Sequence, residues 1–200
     1  ADISEVALQE ARNRMVANGQ AGEGLFAVAD IASLPFKPRV FEGIISLHTI
    51  HHLPGEEHVR AYGELYRVLA QGCTVVIVNG WGSSPLKTLA EGMVRFVDWL
   101  RAKPGSKAIR RLEQANIPLE ATPPPRGTFV RKHNVAWLER EIGRQMPLQI
   151  YVWRTFGVQF LRTFIHPRFA GGGLLRLLYW LEERFPRFLG RNGQYPMIVI

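Results

Sequence analysis

The chain has 200 residues, 46% of them hydrophobic and 21% charged, with one cysteine, a formal net charge of +8 and a pI near 10.1. That length and composition suit one globular domain with a sizeable core, and a lone thiol, Cys73, excludes a disulfide framework and favours a reducing, cytoplasmic setting. No run of about 18 uncharged apolar residues marks a membrane span, no secretory leader is visible, and the positive charge is dispersed, so the surface reads as solvated rather than as a nucleic-acid stripe.

In chain order, Ser4 reads as the N-cap of a helix in which Val6, Leu8, Ala11, Met15 and Val16 follow helical spacing and Gly19 is the stop. L-F-A-V-A, residues 25–29, has the length of a buried strand and ends at Asp30. A turn-rich link with two prolines leads to the strand F-E-G-I-I-S, after which three histidines, His48, His51 and His52, fall within five positions. Pro54 and Gly55 open a helix with Val59, Tyr62, Leu65, Tyr66 and Leu69 on one face, closed by Gln71-Gly72. C-T-V-V-I-V-N, residues 73–79, is β-branched enough for a central strand covered on both faces. The alternation of helix and strand predicts βαβ units and a parallel sheet. Residues 85–115 read as helical, 116–132 as a proline-rich loop, and Asn134 as the cap of V-A-W-L-E-R-E-I-G. L-Q-I-Y-V-W, a helical region containing G-G-G at 171–173, and a last strand at 195–200 complete the pattern. The chain starts without methionine at A-D-I-S and ends within an apolar run, which is the expectation for a piece of a longer protein.

Four stretches, taken together and in order, resemble the class I S-adenosylmethionine-dependent methyltransferases of the small-molecule group. A-D-I-S-E is similar to the end of that family's second strand, V-A-D-I-A-S-L-P-F to its third-strand motif, F-E-G-I-I-S-L-H-T-I-H-H-L-P to its fourth strand and following turn, and E-L-Y-R-V-L-A-Q-G-C-T-V-V-I-V to the next helix and fifth strand. The resemblance implies an α/β fold: a Rossmann-like parallel sheet with a C-terminal antiparallel strand. Residues 1–79 would be its cofactor-binding part, 80–147 a mainly helical insertion able to act as a lid, and 148–200 the C-terminal strands and helices. It also implies that the family's first strand and glycine-rich loop are missing here, since residues 1–79 hold no G-x-G. In the family's strand order, 3-2-1-4-5-7-6, that leaves a gap at the centre of the sheet unless the flanking strands close up.

On the same resemblance S-adenosylmethionine is the cofactor. Asp2, with Ile3, would meet the ribose hydroxyls, Asp30 the adenine amine with Ile31 and Leu34 against the ring, and Ser46, Leu47 and His48 would lie along the cofactor at a strand's carboxyl end, where α/β sheets bind ligands. Structural alternatives stand beside these: a helix-capping charge for Asp2, a turn residue bonded to its own backbone for Asp30, and turn packing for residues 46–48. For the histidines, zinc needs three converging ligands, and His48, His51 and His52 do not point one way, so no metal is expected. His48 is the candidate general base, because an imidazole near pKa 6.5 can take a proton at neutral pH. The expected partner is a small or lipophilic methyl acceptor, with Trp81, Met93, Phe96 and Trp99 as apolar surroundings and core packing as the alternative role of those four residues. Specific nucleic acid is not expected, and the arginine- and aromatic-rich helix near residues 174–188 is expected to pack on the sheet, with peripheral membrane contact as the alternative. The rival functions are a non-catalytic domain of the same fold, a basic nucleic-acid-binding module and a dinucleotide-dependent oxidoreductase.

Overall fold

The computed structural model describes residues 1–20, 22, 24–101, 130–165 and 171–200. Helix α1, Glu5–Ala17, starts where the Ser4 hydroxyl accepts the Ala7 amide at 3.2 Å and stops before Gly19, whose φ of +75° suits glycine. None of its residues is buried; Leu8, Ala11 and Met15, on the spacing read from the sequence, are half-buried, with Met15 close to Gly24.

Strand β1 is Phe41–Leu47, helix α2 His58–Val68 and strand β2 Leu69–Val78. The expected helix end at Gln71-Gly72 is corrected: α2 stops at Val68, and the chain runs straight into β2, where Gly72 at φ +77° absorbs a register break between Phe41↔Leu69 and Gly43↔Thr74. Helix α3 covers Pro85–Arg101. The rest of the expected helix to 115 and the proline-rich loop over 116–129 lie outside the described residues. Asn134 accepts the Trp137 amide at 2.9 Å and starts α4, Val135–Trp137, which widens into a π turn over Leu138–Ile142. Strand β3, Gln149–Arg154, helices α5, Val158–Phe164, α6, Gly171–Arg184, and α7, Pro186–Asn192, and strand β4, Tyr195–Val199, complete the order.

The sheet runs β1-β2-β4-β3; β1 and β2 are parallel, and β4 is antiparallel to both β2 and β3. Hence β1, β2 and β3 point the same way, and their carboxyl ends meet the start of β4 at one rim. Val75 and Ile77 of β2 and Ile198 of β4 pack with Ala61, Tyr62 and Leu65 of α2 and with Leu138, Ile142 and Met146. The amphipathic face of α2, read from its spacing, is the face that builds this core. The helical stretch near 174–188 was expected on the sheet, and its end does so: α7, which begins at Pro186, packs on β3, while Tyr179 and Trp180 of α6 are 57% and 56% exposed.

The segment at 25–29 is a correction of another kind. It forms no continuous strand; only a parallel bridge joins Asp2 to Val28, held by Asp2 N–H to Ala27 O at 3.2 Å and Ala29 N–H to Asp2 O at 3.0 Å. A strand needs a neighbour along its length, and here β1 is an edge of the sheet, with Ile45 74% exposed.

Candidate functional site

Between the Asp2–Val28 bridge and the free edge of β1 opens a cavity of about 610 Å³. Asp2, Ile3, Asp30, Ile31, Ser46 and Leu47 all line it, with Leu34 and Phe36 on the apolar side. The Asp2 carboxylate accepts the Ser4 amide at 2.7 Å and Asp30 accepts the Ala32 amide at 2.9 Å through Oδ1 in each case. Both therefore sit in turns bonded to their own backbone, with Oδ2 left over. Ser46 is buried, and its hydroxyl has no hydrogen-bond partner among the described residues. An orphaned buried hydroxyl costs stability unless something outside the chain meets it.

The wall behind Asp30 is clipped to α2. Arg67 donates to the carbonyls of Phe36 at 2.9 Å and Leu34 at 3.0 Å, and to both oxygens of Glu64; Glu64 in turn accepts the Leu34 amide at 2.8 Å, and Arg60 reaches the Ala32 carbonyl at 3.1 Å. The Arg67 hydrogen bonds hold the Glu64 carboxyl below its ordinary value. So helix α2 fixes the loop that carries Asp30, Ile31 and Leu34.

His48 is not among the residues lining this cavity. Its φ of +55° lies in the left-handed region, and its amide donates to Val78 O at 2.8 Å, which turns the chain sharply at the end of β1. The imidazole meets the Tyr195 ring edge-on, centroids 5.6 Å apart, on the rim where the strand ends converge. Partial burial, then the charges of Arg154, Lys132 and His52, push its pKa down, so it is neutral at pH 7. His51 donates its Nδ1–H to Asn79 Oδ1 at 3.3 Å, and burial lowers its pKa. His52 lines the cavity with Thr49 and Leu53. Among the described residues no group of three His, Cys, Asp or Glu side chains is arranged to hold a metal ion.

A second pair of imidazoles lies just behind. His58 Nε2–H donates to Leu53 O at 3.0 Å, which leaves Nδ1 to accept the Nε2–H of His133 at 2.7 Å, and His133 stacks on Trp137 with centroids 3.5 Å apart. Burial, the neighbouring His58 and Arg131 push His133 down to about 4. This pair anchors residues 131–133, whose backbone also bonds His51 O and the Gly82 amide. Sequence reading missed Asn79, Lys132, His133, Arg154 and Tyr195, which the fold gathers from four separate segments. The one available signal was that Asn79, Arg154 and Tyr195 stand at strand ends, the positions that face ligands in such sheets.

A parallel β1–β2 pair extended by an antiparallel strand, with candidate ligand groups at the strands' carboxyl ends, is a Rossmann-like arrangement. Residues 1–77 match a family model described as methyltransferase domain. Solved structures agree on the fold. The chain is 14% identical to a phosphoethanolamine N-methyltransferase of Haemonchus contortus, solved with phosphomonomethylethanolamine and S-adenosylhomocysteine, covering 99% of this chain and 42% of that one at a TM-score of 0.52. It is also 14% identical to the YcgJ protein of Bacillus subtilis, over 99% of this chain and 79% of that one, TM-score 0.51. The same identity relates it to the cyclase SpnF, over 98% of this chain and 63% of that one, TM-score 0.51. The chain thus spans less than two thirds of the length of SpnF and of the Haemonchus enzyme.

Proposed function

We propose that this chain is part of an S-adenosylmethionine-dependent methyltransferase that moves a methyl group to a small or lipophilic acceptor by direct displacement. One observation carries the reading: Asp2, Asp30 and the unpartnered Ser46 hydroxyl converge on one cavity of about 610 Å³ beside the carboxyl end of a parallel strand, within the usual 300–1,000 Å³ of a small-molecule site. The donor set fits the group. Asp2 and Ile3 take the ribose side, Asp30 accepts from the adenine amine, Ile31 and Leu34 cover the ring, and the Ser46–Leu47 backbone runs along the cofactor. When bound, the cofactor supplies a methyl group on a sulfonium, an electrophile that needs positioning more than acid–base help. His48, neutral at pH 7, is the group placed to take a proton from a hydroxyl acceptor. The exposed side chains of Leu89, Met93, Phe96 and Trp99 on α3 supply apolar surface for a lipophilic acceptor.

The reading also holds that the intact site needs a glycine-rich loop outside residues 1–79, beside the free edge of β1. Calorimetry of residues 1–200 with S-adenosylmethionine is the test. The expected result is a Kd weaker than about 0.1 mM, near −5.5 kcal/mol, weakened further by Asp30→Asn and unaffected by Asp98→Asn. Micromolar binding would show that no further loop is needed. Binding indifferent to Asp2→Asn and Asp30→Asn alike would remove the proposed cofactor site. A domain on this fold with other chemistry is the second reading, and the cyclase SpnF shows that the fold admits one.

A further inference from the structure

Three buried side-chain polar atoms lack a partner among the described residues: Ser46 Oγ, Arg154 Nε and Thr155 Oγ1. Ser46 belongs to the cavity already described. The other two are neighbours at the carboxyl end of β3, on the rim where His48 stands. Around them the groups that the fold gathers are cationic. The Arg154 guanidinium lies 4.5 Å from the centroid of the Tyr195 ring, and His48 meets the same ring edge-on. The Lys132 amine lies over Gly80, where an added methyl carbon would stand 3.4 Å from it and 3.5 Å from the Tyr195 ring. Arg131 and Lys132 are held in place by the His51 carbonyl and the His58–His133 pair.

No acid neutralises this cluster among the described residues. The ion pairs found there join Arg14, Arg67, Lys87, Arg140 and Arg191 to their acids, and neither Arg154 nor Lys132 is in one. The Glu182 carboxylate accepts the Thr155 amide at 2.7 Å and forms no ion pair with Arg154. Two cationic side chains at one ring without a counter-charge repel each other, and an anion between them removes that cost. A guanidinium fork fixed on an aromatic face is pre-shaped for a planar or tetrahedral oxyanion. The depressed His48 pKa has Arg154 and Lys132 among its causes, which is the same positive field sensed at a third point.

We infer that Arg154 and Lys132, with Tyr195, form a subsite for an anionic group, a carboxylate or a phosphate, carried by the molecule that His48 faces. Resting on the methyl-transfer reading, this makes the acceptor an acid or a phosphate ester rather than a neutral lipid. The feature is local, two cations and one ring at strand ends, and lacks the extended basic track that a nucleic-acid backbone requires.

The test is a titration of the 200-residue chain with inorganic phosphate and, separately, with acetate, followed by amide NMR at matched ionic strength against sodium chloride. The expected result is saturable shifts at Gly80 and Tyr195 with one of the two anions, which also separates phosphate from carboxylate. Arg154→Gln and Lys132→Gln should each weaken that binding about tenfold, as expected for a charged hydrogen bond, Arg154→Lys less so, and Arg176→Gln, an equal loss of charge elsewhere, not at all. No shift beyond that of chloride, or an equal loss in Arg176→Gln, would overturn the inference, and the wild-type titration decides it even if a variant fails to fold. Because no methyl donor is present, a null result leaves the methyl-transfer reading standing, and saturable binding stands even if no methyl transfer is found.

Discussion

Acid should loosen this protein through one pair of side chains, His58 and His133. His58 is 1% exposed, and its Nε2–H is committed to Leu53 O, so Nδ1 must stay unprotonated to receive His133. His133 is held down to about 4 from an ordinary 6.5 by burial, by His58 and by Arg131. The folded pKa lies below the unfolded one, so the unfolded chain binds the extra proton between those values. The stabilisation is therefore complete above pH 6.5 and is lost as pH falls towards 4. At about 1.4 kcal/mol per pH unit that interval sets a ceiling near ~3 kcal/mol, and solvent screening at a half-buried ring reduces it to about 1–2 kcal/mol. His133→Gln keeps an amide donor for His58 Nδ1 and has no proton to gain. Urea unfolding of both proteins at several pH values from 7 to 4.5 reads the effect. The wild-type stability should fall more steeply than that of the variant by about 1–2 kcal/mol over this range. Parallel pH curves would refute the argument, since the variant would then have removed a titration that never contributed.

Three further outcomes follow from the same contacts. Arg67→Lys keeps the charge but not the fork that spans Leu34, Phe36 and Glu64, so hydrogen exchange at the Leu34 amide should quicken; since Glu64 sits below its ordinary carboxylate value, the same amide should also loosen in wild type as acid protonates Glu64, and unchanged exchange in both cases would remove the clip. Gly82→Ala places a methyl 2.7 Å from the Lys132 carbonyl oxygen and should cost about 1–3 kcal/mol in thermal unfolding, whereas an unchanged Tm would mean that residues 131–133 can move away freely. Ser46→Ala deletes an unpartnered buried hydroxyl, so the unliganded chain should be unchanged or up to about 1 kcal/mol more stable, while S-adenosylmethionine binding by calorimetry weakens.

Much of the frame could be read from residue order. The caps at Ser4 and Asn134, the apolar face of α2 and the β-branched run of β2 are local patterns with local causes, and each is found in place. Residues 25–29 were misread because apolar length marks a strand only if a neighbouring strand pairs along it, and pairing is not a local property. The same limit hid the rim. Arg154 and Tyr195 are 41 positions apart and meet only through the register of β3 on β4, and His58 and His133, 75 apart by their numbers, meet only where residues 131–133 fold back against α2. The three histidines are close in space as well as in sequence, the His51 ring lying 4.1 Å from that of His52 and 6.0 Å from that of His48, yet their other neighbours differ: Tyr195 for His48, Asn79 for His51 and the cavity for His52.

The left-handed backbone at His48 gives the chemist a clean instrument. A side chain in that region costs about 1–2 kcal/mol that glycine does not, while glycine gives back roughly 0.5–1 kcal/mol through its freer unfolded chain. The two nearly cancel, so His48→Gly should leave the fold almost untouched while deleting the imidazole. At most positions a lost side chain confounds damage to the scaffold with damage to the reaction; here the backbone geometry separates them.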